Sequence, residues 1–245
     1  MCSEAEFREL NPMDLSHFDL RSVAFEVRYD QAYLLWDRAG ALWQAVHRIA
    51  PTIKLTESVP AKISGFIERR FHVSVELEKV LIIVYPPPST VEDYIALCRD
   101  ILAAAIDILG VKIYSRIGLR LIHHRRFRSS EEAADALLST GIMKVPEGKH
   151  FGIEGPPKLP HYAIRLDGDN LAVQVNLHTQ ERKLKIDVPL GETALESVEK
   201  DIFELIYDVD YFTIGTVDIG QFRASDWIPN ALRVIRRDSK VFLGG

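Results

Sequence analysis

The stretch VKIYSRIGLRLIHHRRF, Val111 to Phe127, constrains this chain more than any other. It keeps a strand's two-residue period over most of its length. Val111, Ile113, Ile117, Leu119 and Leu121 fall on one side, and Lys112, Arg116, Arg120, His124, Arg126 and Arg128 fall on the other. A strand this long needs a sheet with one apolar face and one polar face. Five cations and a histidine on the polar side also raise the question of what that face meets. His123 and His124 must point to opposite faces, so the pair cannot clamp one metal ion from a regular strand.

The segments around this strand supply the rest of such a sheet. VAFEVRY (Val23 to Tyr29) alternates strictly, with Val23, Phe25, Val27 and Tyr29 on the apolar side and Glu26 and Arg28 on the other. From Gln31 to Ile49 the period becomes helical, with Leu35, Ala39, Leu42, Trp43 and Val46 in register, and Pro51 follows. Trp36 and Trp43, seven apart, are expected on one core-facing stripe. Residues 61 to 85 predict one long strand, a turn near Glu78 and Lys79, and a second strand from Val80 to Tyr85 that the three prolines 86 to 88 end. A buried helix is expected next, capped by Thr90 and stopped at Gly110. The order over Val23 to Phe127 is then β-α-β-β-α-β, the ferredoxin-like pattern in which the first and fourth strands are neighbours.

The second half repeats the theme loosely. A short helix is expected at 129 to 139, capped by Ser129 or Ser130. An irregular loop spans 145 to 160, and strands are expected at 161–166, 171–177 and 183–188. A helix from Glu192 to Ile206, a strand-like YFTIGTVDIG and a last helix from near Ser225 complete it. The expected fold is α+β, two ferredoxin-like halves in a mainly antiparallel sheet with helices mostly on one face. The expected divisions are an irregular segment 1–21, a half at 22–128, and a second half at 129–245 that shares the core.

Composition bounds the function. The 245 residues are 47% hydrophobic and 27% charged, with a net charge of −5, which is not the balance of a general nucleic-acid glove. No apolar run approaches the roughly 20 residues of a membrane span. The acidic N-terminus lacks a leader's apolar region, and the two cysteines, Cys2 and Cys98, give no disulfide framework. A cytoplasmic location is therefore expected. No cofactor-binding motif is present: Gly152 and Gly155 make neither a P-loop nor a dinucleotide fingerprint. Asp167-Gly-Asp169-Asn170 is hairpin chemistry, since no EF-hand spacing follows it.

The Arg116-Ile-Gly-Leu-Arg-Leu-Ile-His123 run resembles the R-x-G-L-R-Y-I-N signature of a sporadically distributed, uncharacterised prokaryotic protein family of similar length. Leu121 stands in place of its tyrosine and His123 in place of its asparagine. The family's acidic-aromatic stretch before a C-terminal helix is similar to Asp208-Val-Asp210 and Ser225 to Phe242 here. The resemblance covers most of the chain, and the central motif is its specific part. It supplies no catalytic residues and implies a prokaryotic accessory protein, of a kind often linked with mobile or defence loci.

A non-catalytic binding or regulatory protein is the expected class. Its working surface is the polar sheet face carrying Glu26, Arg28, Glu68, Arg70, His72, Arg116, Arg120 and His124. The anion-binding candidates are Arg28, Arg116, Arg120, His124, Arg126 and Arg128, and the partner is an anionic ligand or a protein. Nucleic acid is the less favoured partner because aromatic side chains do not interleave the stripe. A homodimer stays open. Cross-strand pairing of Glu26 with an arginine is the structural alternative for the same residues. The other class is a metal-dependent phosphotransfer enzyme built on Asp208 and Asp210. A metal set of His72, His124 and His178 is a further, weaker arrangement.

Overall fold

A computed structural model describes residues 13–85, 91–144, 155, 157–189 and 195–244. Thr90, Cys2 and residues 145–154 and 156 of the loop expected at 145–160 lie outside these residues.

The chain forms a mixed α and β structure around a single ten-stranded sheet. The strands are β1 (Asp19–Tyr29), β2 (Ile53–Val59), β3 (Lys62–Ile67), β4 (Phe71–Glu76), β5 (Lys79–Val84), β6 (Ile113–Phe127), β7 (His161–Asp167), β8 (Leu171–Pro189), β9 (Leu195–Thr213) and β10 (Val217–Asp218). The neighbour order is β2-β3-β4-β5-β1-β6-β9-β8-β7, with β10 added to β6. Every pairing is antiparallel. The helices are α1 (Leu34–Ile49), α2 (Val91–Leu109), α3 (Ser130–Leu138) and α4 (Ala224–Gly244). No helix among the described residues is long and apolar enough to cross a membrane.

The apolar sides of the strands and helices meet in one core. Phe25, Val27, Val80, Ile82, Ile117, Leu119 and Leu121 are fully enclosed, joined by Leu35 and Leu42 of α1, Ile101 of α2 and Ile228 of α4. Leu137 of α3 joins the same core as Leu177 and Leu205. Gly110 stops α2 at φ 68°, its amide donating to the Ile106 carbonyl at 2.9 Å. Ser129 caps α3 by accepting from the Glu132 amide.

Five expectations are corrected. The strands expected at 171–177 and 183–188 are one, β8, which pairs with β9 without a break from Leu171 to Pro189. The helix expected from Glu192 to Ile206 is strand, because β9 runs through it from Leu195 to Thr213. Val198, Ile202, Leu205 and Ile206 fall at helical spacing, and that misleads. Strand period also fits Leu205, Tyr207 and Val209 against Glu204, Asp208 and Asp210, and the sheet partners on both sides decide it. The single strand expected before Leu77 is the hairpin β3–β4, folded at Glu68 (φ 50°) and Arg69 (φ 58°). Two left-handed residues without glycine carry no turn signal. Ile113 is 51% exposed while Tyr114 is buried, and Lys112 lies on the helix side with Tyr114 and outside the cationic stripe, because a bulge shifts the β1–β6 register between Arg28 and Tyr29. Trp36 lies outside the core, 56% exposed and edge-on to Tyr33. Trp43 instead packs toward Gly65, where an added Cβ would stand 3.1 Å from its ring and 2.7 Å from the Lys54 carbonyl oxygen.

Candidate anion-binding face

The register places one set of side chains on the sheet face away from the core. Across β1, β6, β9 and β8 this set includes Glu26, Arg116, Arg120, His124, Arg126, Glu204, Asp208, Asp210, Asn176 and His178. The cationic stripe is thus real, and β9 lays a row of carboxylates beside it.

The carboxylates divide the stripe in two. In the first zone charge is balanced. Arg116 Nη1 donates to Glu26 Oε1 and its Nη2 to Asp210 Oδ2, each at 2.7 Å, with the guanidinium 4.4 Å from the Phe212 ring centre. Arg120 grips Asp208 with two bonds of 2.8 and 2.6 Å. Arg28 pairs with Glu26 at 2.7 Å, and Lys79 lies between Glu26 and Glu76. The cross-strand pairing of Glu26 with an arginine, expected as the structural alternative, is present. A groove of about 250 Å³ runs over the small residues Ser22, Ala24 and Gly118 in this zone.

In the second zone cations are in surplus. The Glu204 side chain is fully buried. It faces His124 Nδ1 at 2.9 Å and accepts two bonds from Arg182, at 3.1 and 3.2 Å. Arg126 Nε stands 3.6 Å and Arg21 Nη1 3.7 Å from the same carboxylate, near enough to attract but too far to donate. Burial works against the Glu204 charge. The hydrogen bonds from His124 and Arg182 and the charge of Arg182 outweigh it, so the carboxyl is held below its ordinary value. Asp19 lies across from His124 on the same face. Counting it, three arginines still meet two carboxylates. Arg126 is 68% and Arg21 36% exposed at the side chain, so their free N–H groups face solvent. Arg128, one step beyond, is exposed as well.

Four strands build this zone. His124 and Arg126 come from β6, Glu204 from β9 and Arg182 from β8. Arg21 comes from β1, where a register shift between Leu20 and Ser22 leaves it unpaired and turns it toward Glu204. Arg21, Arg182 and Glu204 were not among the sequence candidates. Arg21 lay in the segment expected to be irregular, Arg182 between two expected strands, and Glu204 in an expected helix. Of the residues that were candidates, Arg28, Arg116 and Arg120 fall in the balanced zone and His124, Arg126 and Arg128 in or beside the surplus zone.

Asp208 and Asp210 do share a face, as a strand requires, but each is engaged by an arginine. Among the described residues no group of three or more histidines, cysteines, aspartates or glutamates is placed to hold a metal ion. His72, His124 and His178 share the face but are spread over it. His124 and His178 are two strands apart, roughly 10 Å, and His72 is three strands across and four residues along from His124, roughly 20 Å. Burial, before any charge, lowers the proton affinity of both His72 and His178. Glu68 lies in the β3–β4 turn, while Arg70, whose carbonyl accepts from the Tyr85 amide at 2.9 Å, continues β4 on the side of His72 at the edge of the face. Compared with protein-family models and with curated proteins, the chain gives no match.

Proposed function

We propose that this is a non-catalytic binding protein that takes an anionic group of its partner at the Glu204 end of the sheet. One observation carries this: three guanidiniums and an imidazole surround a single buried carboxylate, and two of the three guanidiniums make no hydrogen bond to it. Glu204 holds the cationic side chains in place and leaves charge over. That is how a pre-organised anion site is built. The arginines of the balanced zone make the face rigid and position β9 against β6. The resemblance of the Arg116 to His123 run supports placing the protein among prokaryotic accessory proteins of mobile or defence loci. The neighbour order β4-β5-β1-β6 supports a ferredoxin-like first half.

Pyrophosphate is a direct probe. Titrated against the wild type, it should shift the arginine Nε–H resonances of Arg21, Arg126 and Arg182 and leave those of Arg116 and Arg120 in place. The variant Arg21→Ala, Arg126→Ala should lose the response. Shifts confined to Arg116 and Arg120, or none at all, would overturn the proposal. Random duplex DNA separates the sources of the anion: nucleic-acid binding would weaken with salt at a log-log slope of roughly 0.9 per phosphate contacted. A protein partner would show a shallower dependence and rest on a few anchors.

A further inference from the structure

A second feature lies on the helix side of the sheet, remote from the cationic face. Between α2, the start of β6, and the crossover from β10 into α4 there is a cleft of about 560 Å³. That volume is within the range of small-ligand sites. Its walls include Leu102 and Ile106 of α2, Tyr114 of β6 and Phe222. Tyr114 and Phe222 meet edge to face, ring centres 5.6 Å apart, and Phe222 keeps part of its ring exposed. A flat aromatic body would extend this packing.

The rim is charged. Arg99, Lys112 and Arg223 line it, with Asp107 as the one acid. Arg99 is held by its neighbour Asp100 at 2.7 Å. Three cations against these two carboxylates leave a surplus of one. Lys112 and Arg223 are both exposed, and among the described residues neither is in an ion pair. An apolar, partly aromatic hollow with two uncommitted cations at its mouth suits a small molecule with an aromatic body and one negative charge.

We infer that this cleft binds an aryl carboxylate, its ring against Phe222 and Ile106 and its carboxylate at Lys112 and Arg223. The site is separate from the Glu204 zone, so either can fail without the other. The test uses 2-naphthoate and its neutral counterpart 2-naphthalenemethanol, both fluorescent, titrated into the full-length protein. The acid should bind about tenfold or more tightly than the alcohol, since charge-assisted bonds of this kind supply that much. The variant Lys112→Glu, Arg223→Glu should weaken the acid by about the same factor and leave the alcohol unchanged. The variant Ile106→Trp, which fills the hollow, should weaken both. Equal binding of acid and alcohol, acid binding that survives the double reversal, or no saturable binding of the acid overturns the inference. So does binding that Ile106→Trp leaves intact.

Discussion

The Arg116 guanidinium lies over Gly118: a methyl group built on that glycine would stand 2.6 Å from Nη1 and 3.0 Å from Cζ. The same guanidinium is fixed by Glu26 on β1 and Asp210 on β9, and it is stacked on Phe212. It cannot swing away without breaking its bonds to both carboxylates, and Asp210 then loses its arginine. Gly118→Ala should therefore destabilise the fold by about 1–3 kcal/mol, although its backbone angles suit alanine. In an Arg116→Ala background the same change should cost much less. Urea denaturation of the four proteins of this double-mutant cycle gives the coupling directly, and a coupling near zero would dissociate the glycine from the arginine.

That pair explains what was legible in the sequence and what was not. Alternation alone identified the faces of Leu119 and Arg120, because a two-residue period is a local property. Why glycine stands between Arg116 and Arg120 was not legible, because the cause lies across two other strands. The same limit hid Glu204 and Arg182. Both depend on β9 being strand, and its apolar residues fit a helix as well as a strand until sheet neighbours are supplied. The bulges at Arg21 and beside Arg28 leave no mark in composition or period, so Ile113 was assigned to the face that Tyr114 occupies.

Leu119 is fully buried between Phe25 on β1 and Tyr211 on β9 in the strand register. Its truncation opens a cavity at the centre of the widest part of the sheet, where neighbours are held by pairing on both sides. Leu119→Ala should cost about 2–5 kcal/mol in chemical denaturation. A change below about 1 kcal/mol would mean that the centre of the sheet relaxes into the space.

The β3–β4 turn holds Glu68 at φ 50° and Arg69 at φ 58°, with the Arg70 amide bonded to the Ile67 carbonyl at 2.9 Å. Two successive left-handed residues define the tight hairpin turn for which Asn-Gly is the best sequence, and each ordinary side chain there costs about 1 kcal/mol. Glu68→Asn with Arg69→Gly should raise stability by about 1 kcal/mol and the melting temperature with it. Neutral or lower stability would show that the two charged side chains make compensating contacts.

His123 is the buried member of the histidine pair, 6% exposed, its ring 6.0 Å from that of Tyr207 and its Nδ1 without a hydrogen-bond partner. Burial first, and then the charge of Arg236, lowers its pKa from 6.5 to about 4. Between these values the unfolded chain carries a proton on this ring that the folded chain does not. Stability from this group is therefore intact above pH 6.5 and falls as the pH drops toward 4, by about 3 kcal/mol at most. His123→Phe keeps an aromatic ring against Tyr207 and removes the titration. Carboxylates such as Glu204 titrate in both proteins and cancel in the comparison. Urea denaturation at pH 7.5 and pH 4.5 should show the wild type losing about 2–3 kcal/mol more than the variant over this interval. The absolute stability of the variant at pH 7.5 reports packing and is not the test. Equal losses in the two proteins would mean that the folded state accepts the proton on His123, either by opening the β6–α4 contact or by admitting water to Nδ1.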